Sequence, residues 1–185
     1  MSKNALVPIA NGSEEIEAVC IIDVLRRAGV AVTVASVEDT LQITAARGTR
    51  LVADVLIDEC VGRCYDLIAL PGGMPGAEHL RDCAPLIDLL KAQREAGRLY
   101  GAICAAPVVV LLHHGLLNGR QATAHPAFSD HLPDQSAVSQ RVVVDGNCLT
   151  SRGPGTAIEF ALALVSALLG EEKAREIGGH MLVKM

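Results

Sequence analysis

The sequence predicts an α/β fold in which a mostly parallel sheet is covered by helices on both faces. Three observations carry this. Strand-like and helix-like segments alternate from end to end, which implies crossovers between parallel strands. Half of the 185 residues are apolar and only 2% are aromatic, so Ala, Val, Leu and Ile must fill the interior. Apolar runs such as Ala5–Ile9 and Asp66–Leu70 read as strands buried on both faces.

Taken in order, Ala5–Ile9 is the first strand, and Asn11-Gly12-Ser13 turns the chain and caps a helix over Glu14–Ala28. Gly29 stops that helix, and the β-branched run Ala31–Ala35 is the next strand. Glu38–Cys60 reads as short strands and turns. The strand Asp66–Leu70 breaks at Pro71-Gly72-Gly73, and helical patterns follow over Gly76–Leu80 and Ala84–Ala96, with Gly97 as the stop. Leu99–Ile103 is a strand and Ala105–His114 a helix. Thr123 lies near a further strand end, and Val142–Val144 and Leu149-Thr150 flank Asp145-Gly146 as a hairpin. Thr156–Leu169 and Glu171–Ile177 close the chain as helices. Neither a repeat nor a linker interrupts the pattern, so residues 1–185 are read as one domain.

A net charge of -5 leaves no excess of Lys and Arg to replace counterions, which argues against tight gripping of a nucleic-acid backbone. Met1-Ser2-Lys3-Asn4 leads into a strand without a signal-like stretch. Ala157–Leu169 is interrupted by Glu159 and too short to span a bilayer. The expectation is a soluble, cytoplasmic protein. Six cysteines in that setting (Cys20, Cys60, Cys64, Cys83, Cys104 and Cys148) suggest reduced thiols. Cys60 and Cys64 lack a second ligand pair, so no metal is expected. His113 and His114 read as a solvated helix end.

The chemistry concentrates in Gly101-Ala102-Ile103-Cys104-Ala105-Ala106-Pro107. A buried strand enters, small residues surround Cys104 and a helix leaves, following the logic of a nucleophile elbow with Cys in place of Ser. A thiol at a helix N-terminus is expected to have a lowered pKa. The other five cysteines lack this context and read as packing residues. Pro71-Gly72-Gly73 ends a strand at the same sheet edge, where its amides can face a developing oxyanion. Glu14, Glu15 and Glu17 open the first helix. Two suit the helix dipole, and one that reached Cys104 would have a raised pKa, stay protonated and donate to the thiolate. Spacing alone does not say which. His125 by itself reads as a loop histidine, and Arg152 as an anion ligand or a loop stiffener.

Four motifs occur in the order seen in the ThiJ/PfpI superfamily, and the sequence resembles it nearly end to end. They are Gly12-Ser13-Glu14-Glu15-Ile16-Glu17, Leu70-Pro71-Gly72-Gly73, Ala102-Ile103-Cys104-Ala105-Ala106-Pro107 and Thr150-Ser151-Arg152-Gly153-Pro154-Gly155-Thr156. The resemblance is greatest to the branch containing the parkinsonism-associated deglycase and its bacterial YajL-like relatives. It implies a flavodoxin-like three-layer sandwich and a homodimer. It also implies that Cys104 is an oxidisable nucleophile, that Glu17 is the acid bonded to it, and that Gly72, Gly73 and Ala105 border the oxyanion or substrate. His125 becomes a site residue. Arg47 and Arg152 match arginines close to the pocket, and Glu14, Asp23 and Arg27 match positions near the dimer contact.

Two departures matter. Ala105 stands where the intracellular-protease branch has a histidine, which disfavours a cysteine peptidase. Ala45 stands where some YajL-like relatives have a second cysteine. The activity implied is therefore cofactor-free and cysteine-dependent, acting on small reactive aldehydes or glycated amino groups, with nucleic acid entering only as a glycated substrate. The alternative implied is a redox-sensing chaperone that works through oxidation of Cys104 to a sulfinate.

Overall fold

The computed structural model describes residues 3–183; Met1 and Ser2, part of the start read above for targeting, lie outside them. Among the described residues, nine strands and six α-helices follow in order. They are β1 (Asn4–Ile9), α1 (Glu15–Arg27), β2 (Ala31–Ser36), β3 (Gln42–Thr44), β4 (Arg50–Val52), β5 (Val55–Leu56), β6 (Leu67–Leu70), α2 (Gly76–Asp82) and α3 (Ala84–Glu95). Then come β7 (Leu99–Ile103), α4 (Pro126–Ser129), β8 (Val142–Asp145), β9 (Cys148–Ser151), α5 (Ala157–Leu169) and α6 (Glu171–His180).

Seven strands form one sheet in the order β5-β2-β1-β6-β7-β9-β8. All neighbours are parallel except β8, which runs antiparallel to β9 across the hairpin read at Asp145-Gly146. Successive strand residues face opposite layers. Leu6, Ile68, Leu70, Tyr100 and Ala102 pack with Leu80 of α2 and Leu86 and Leu90 of α3. Ala5, Val7, Leu67, Ala69 and Ile103 pack with Ile21 and Leu25 of α1 and Phe160 and Leu164 of α5. The result is a flavodoxin-like three-layer sandwich. Phe160 is fully buried, and truncating such a ring costs about 3–5 kcal/mol.

After β1 the chain moves to β2 on one side and later returns to β6 on the other. The carboxyl ends of β1 and β6 therefore flank the switch point where ligands bind in such sheets. β7, beside β6, delivers Cys104 to the same edge.

Three local expectations need correction. The predicted helix over Ala105–His114 is instead a wide π-helical segment, Pro107–Leu112, with His113 N–H bonding back five residues to the Val108 carbonyl. Thr123 ends no strand: its amide donates to Thr150 Oγ1 and its hydroxyl to the Val138 carbonyl, so side-chain bonds replace a ladder. His114 is not a solvated helix end, because its Nε2 lies 2.9 Å from the Arg81 carbonyl of α2. Within Glu38–Cys60, the short strands prove to be the hairpin β3–β4 and the edge strand β5.

Candidate active site

Cys104 follows the last residue of β7 with φ +67, a left-handed conformation uncommon for any residue but glycine. Two backbone hydrogen bonds hold it. Its N–H donates to the Ser151 carbonyl at 3.0 Å, and its carbonyl accepts the His125 N–H at 2.8 Å. Gly72 makes room for this bend, since a Cβ there would meet Cys104 Cβ at 2.6 Å and the Ile103 carbonyl oxygen at 2.7 Å. Only hydrogen fits.

Glu17, in the first turn of α1, is completely buried. Its Oε2 accepts the Gly72 N–H at 2.8 Å, and its carboxyl also interacts with the Cys104 side chain. Oε1 is buried and has no hydrogen-bond partner among the described residues. Burial pushes the Glu17 pKa up to about 7; the Gly72 amide and the Cys104 thiol pull against this, and the Glu14 charge adds to it. Of the three acids opening the helix, the structure thus selects Glu17 as the one that reaches the sulfur.

The lowered thiol pKa expected from the helix N-terminus is not what the surroundings produce. Burial, then the Glu17 charge, pushes Cys104 up to about 12, while the Gly73 and Ala105 amides pull it down. Desolvation outweighs the dipole because the sulfur is only partly exposed and faces a carboxyl. Two arrangements hold the single proton of this pair, carboxylate beside thiol or carboxylic acid beside thiolate. Burial and the carboxylate weight the first.

The glycine turn also divides its work. The Gly72 amide is occupied by Glu17, so it cannot serve an oxyanion. The Gly73 and Ala105 amides are the ones that face the sulfur. Gly73 has φ +90 and lies against Gly12 and Ser13, which ties the turn after β6 to the turn after β1.

His125 is half-buried, and its Nδ1 accepts the Ala127 N–H at 3.2 Å, which places the proton of the neutral ring on Nε2. It borders Gly153, where an added Cβ would lie 3.4 Å from His125 Cδ2. Arg152 enters the same loop; its Nη1 reaches the Ser139 carbonyl at 3.5 Å, and its buried Nε has no partner among the described residues. Arg47 is exposed, and its backbone amide, held by the Glu15 carboxylate, is the bonded group. Glu14 is buried, and its N–H donates to the Gly72 carbonyl at 2.9 Å. Asp23 and Arg27 pair with each other on the outer face of α1. The structure therefore gathers Cys104, Glu17, Gly72, Gly73, Ala105 and His125, with Arg152 beside them, and leaves Arg47, Asp23 and Arg27 on the surface. Reasoning from the sequence passed over Ser151, whose carbonyl fixes the Cys104 bend; its place before Arg152 in the turn motif was the available signal.

All six cysteines are free. Among the described residues, no three His, Cys, Asp or Glu side chains gather as a metal site would require, and no helix is long and apolar enough to cross a membrane.

Residues 3–167 match the DJ-1/PfpI family. The chain belongs to that family. Within it the DJ-1 branch is shown by relatives such as Protein DJ-1 homolog B of Arabidopsis thaliana, 53% identical over 178 residues that cover 96% of this chain and 41% of that protein. The chain thus spans under half the length of that plant relative. The glutathione-independent glyoxalase DJR-1.2 of Caenorhabditis elegans is 39% identical, with 95% of this chain and 94% of that one covered. Among solved structures, oxidized Toxoplasma gondii DJ-1 superposes with a TM-score of 0.97 at 49% identity and full coverage of both chains.

Proposed function

We propose that this DJ-1 family chain converts small 2-oxoaldehydes such as methylglyoxal to hydroxy acids, with Cys104 as nucleophile and without a cofactor. The observation that carries this is the buried Glu17 carboxyl against Cys104, with the Gly73 and Ala105 amides on the same sulfur. The C. elegans relative named as a glyoxalase supports the substrate class.

Ionised Glu17 takes the thiol proton as sulfur bonds to the aldehyde carbon, and returns it to the alkoxide oxygen as a hemithioacetal forms. Gly73 and Ala105 amides stabilise that oxygen. His125 then moves the proton from the former aldehyde carbon to the neighbouring carbonyl carbon, and the hydroxyl proton passes to the oxygen of that neighbouring carbon. One carbon is oxidised and the other reduced, leaving a thioester. Water hydrolyses it to the hydroxy acid and regenerates the thiol, so no outside oxidant is needed. The same addition would release early glycation adducts from amino groups of proteins or nucleotides. Loss of adduct at constant free methylglyoxal distinguishes direct deglycation from scavenging.

Turnover of methylglyoxal without glutathione, followed by hydroxy-acid formation, tests the reading. Cys104→Ser should reduce it to background; activity that survives the substitution overturns the assignment.

A second reading has its own support, since the T. gondii relative was solved oxidized. Peroxide would add two oxygens to Cys104 sulfur, each with release of water, and protonated Glu17 would hydrogen-bond the sulfinate. A two-oxygen mass gain confined to Cys104, lost on Glu17→Ala, is the expected result. Oxidation spread over the exposed thiols contradicts it. In either reading the chain works as a homodimer in the cytoplasm, with Glu14, Asp23 and Arg27 near the contact.

A further inference from the structure

We infer that the buried Ser151–Thr156 hydroxyl pair is a positioning device that fixes Cys104 and His125 relative to one another; this rests on Cys104 being the reacting sulfur. The two oxygens lie 2.7 Å apart, and both residues are buried. Two loop amides and two carbonyls extend the pair into a hydrogen-bonded chain. Thr156 Oγ1 accepts the Gly153 N–H at 3.1 Å and the Arg152 N–H at 3.3 Å. Ser151 Oγ donates to the Arg141 carbonyl at 2.7 Å. Thr156 Oγ1 also donates to the Gly153 carbonyl at 2.9 Å, so two hydroxyl protons serve three contacts and either oxygen can be the donor across the 2.7 Å pair.

Both ends of this chain reach the reacting groups. Ser151 supplies the carbonyl that receives the Cys104 amide, the bond that holds the left-handed bend. Gly153, whose amide Thr156 holds, is the residue against which the His125 ring rests. His125 in turn donates its amide to the Cys104 carbonyl, which closes a loop of contacts through Cys104, Ser151, Thr156, Gly153 and His125. Neither hydroxyl touches the sulfur. Replacing Thr156 by isosteric Val strands two loop amides and frees both backbone supports together, so the sulfur drifts from the Gly73 and Ala105 amides.

The test is site-resolved iodoacetamide labelling in full-length wild type, Thr156→Val, Thr156→Ser and Ser151→Ala, with methylglyoxal turnover measured on each. Exposed Cys64 is the internal reference, and buried Cys60 and Cys148 report general loosening. Thr156→Val should slow Cys104 labelling and lower kcat by about tenfold, the effect of one lost hydrogen bond, with KM little changed. Thr156→Ser should restore both, and Ser151→Ala should shift them in the same direction even if Thr156→Val does not fold. A merely structural role would speed labelling at Cys60 and Cys148 and leave Cys104 unslowed. That outcome, or failure of Thr156→Ser to rescue, overturns the inference. If wild type itself shows no turnover dependent on Cys104, the proposed function fails, while the labelling arm still decides the positioning role.

Discussion

Gly72 approaches Cys104 so closely that its missing side chain is part of the site: a Cβ on Gly72 would sit 2.6 Å from Cys104 Cβ. The neighbouring obstacles, the Ile103 carbonyl oxygen at 2.7 Å and the Ala105 nitrogen at 3.0 Å, are backbone and cannot swing away. Gly72→Ala should therefore destabilise the fold by about 1–3 kcal/mol, the usual cost of overpacking. It should also slow Cys104 labelling, because the turn that carries the Gly73 amide must shift. Urea unfolding and labelling on the same sample check both.

The acid beside the sulfur makes stability depend on pH. Glu17 is raised from an ordinary value of 4.5 to about 7, so between these values the folded chain holds a proton that the unfolded chain has released. Its contribution is complete below about 4.5, declines as pH rises, and is gone above about 7. The change amounts to about 3 kcal/mol at most. Urea midpoints from pH 4.5 to 8 should fall in wild type and flatten in Glu17→Gln, whose carbonyl still accepts the Gly72 amide.

Turnover should show the opposite slope. In the proposed reaction ionised Glu17 takes the thiol proton, so kcat should rise with pH through about 7. Glu17→Gln should remove that inflection and lower kcat by 10²–10⁴-fold, a typical worth of general base catalysis, where ~10² marks the low end.

Ile16 and Val19 on α1 are 53% and 47% exposed, next to the Asp23–Arg27 pair. An apolar strip of this kind suits the proposed homodimer contact. Val19→Glu should convert dimer to monomer in sedimentation velocity while leaving the far-UV spectrum intact; a wild-type monomer contradicts the dimer.

The sheet, its helical layers and the Cys104 bend were legible because each is written in local pattern: buried apolar runs, glycine stops and small residues around the thiol. The choice of Glu17 from three candidate acids was legible only through the family resemblance and not in local pattern, because it is made by a bond to Gly72, 55 residues away. The high thiol pKa was hidden for the same reason, since burial by distant elements decides it. The wide helical segment after Cys104 uses ordinary helix-compatible residues and differs only in which carbonyl each amide selects. Ser151 was overlooked because its backbone carbonyl, not its side chain, meets Cys104.

The most direct measurement is protection of Cys104 by substrate. Labelling each cysteine with iodoacetamide at increasing methylglyoxal should slow Cys104 with half-protection near the KM for turnover, while exposed Cys64 gives the background rate of thiol capture. Cys104 labelled at an unchanged rate, or protected no more than Cys64, would contradict a nucleophile that adds to the aldehyde.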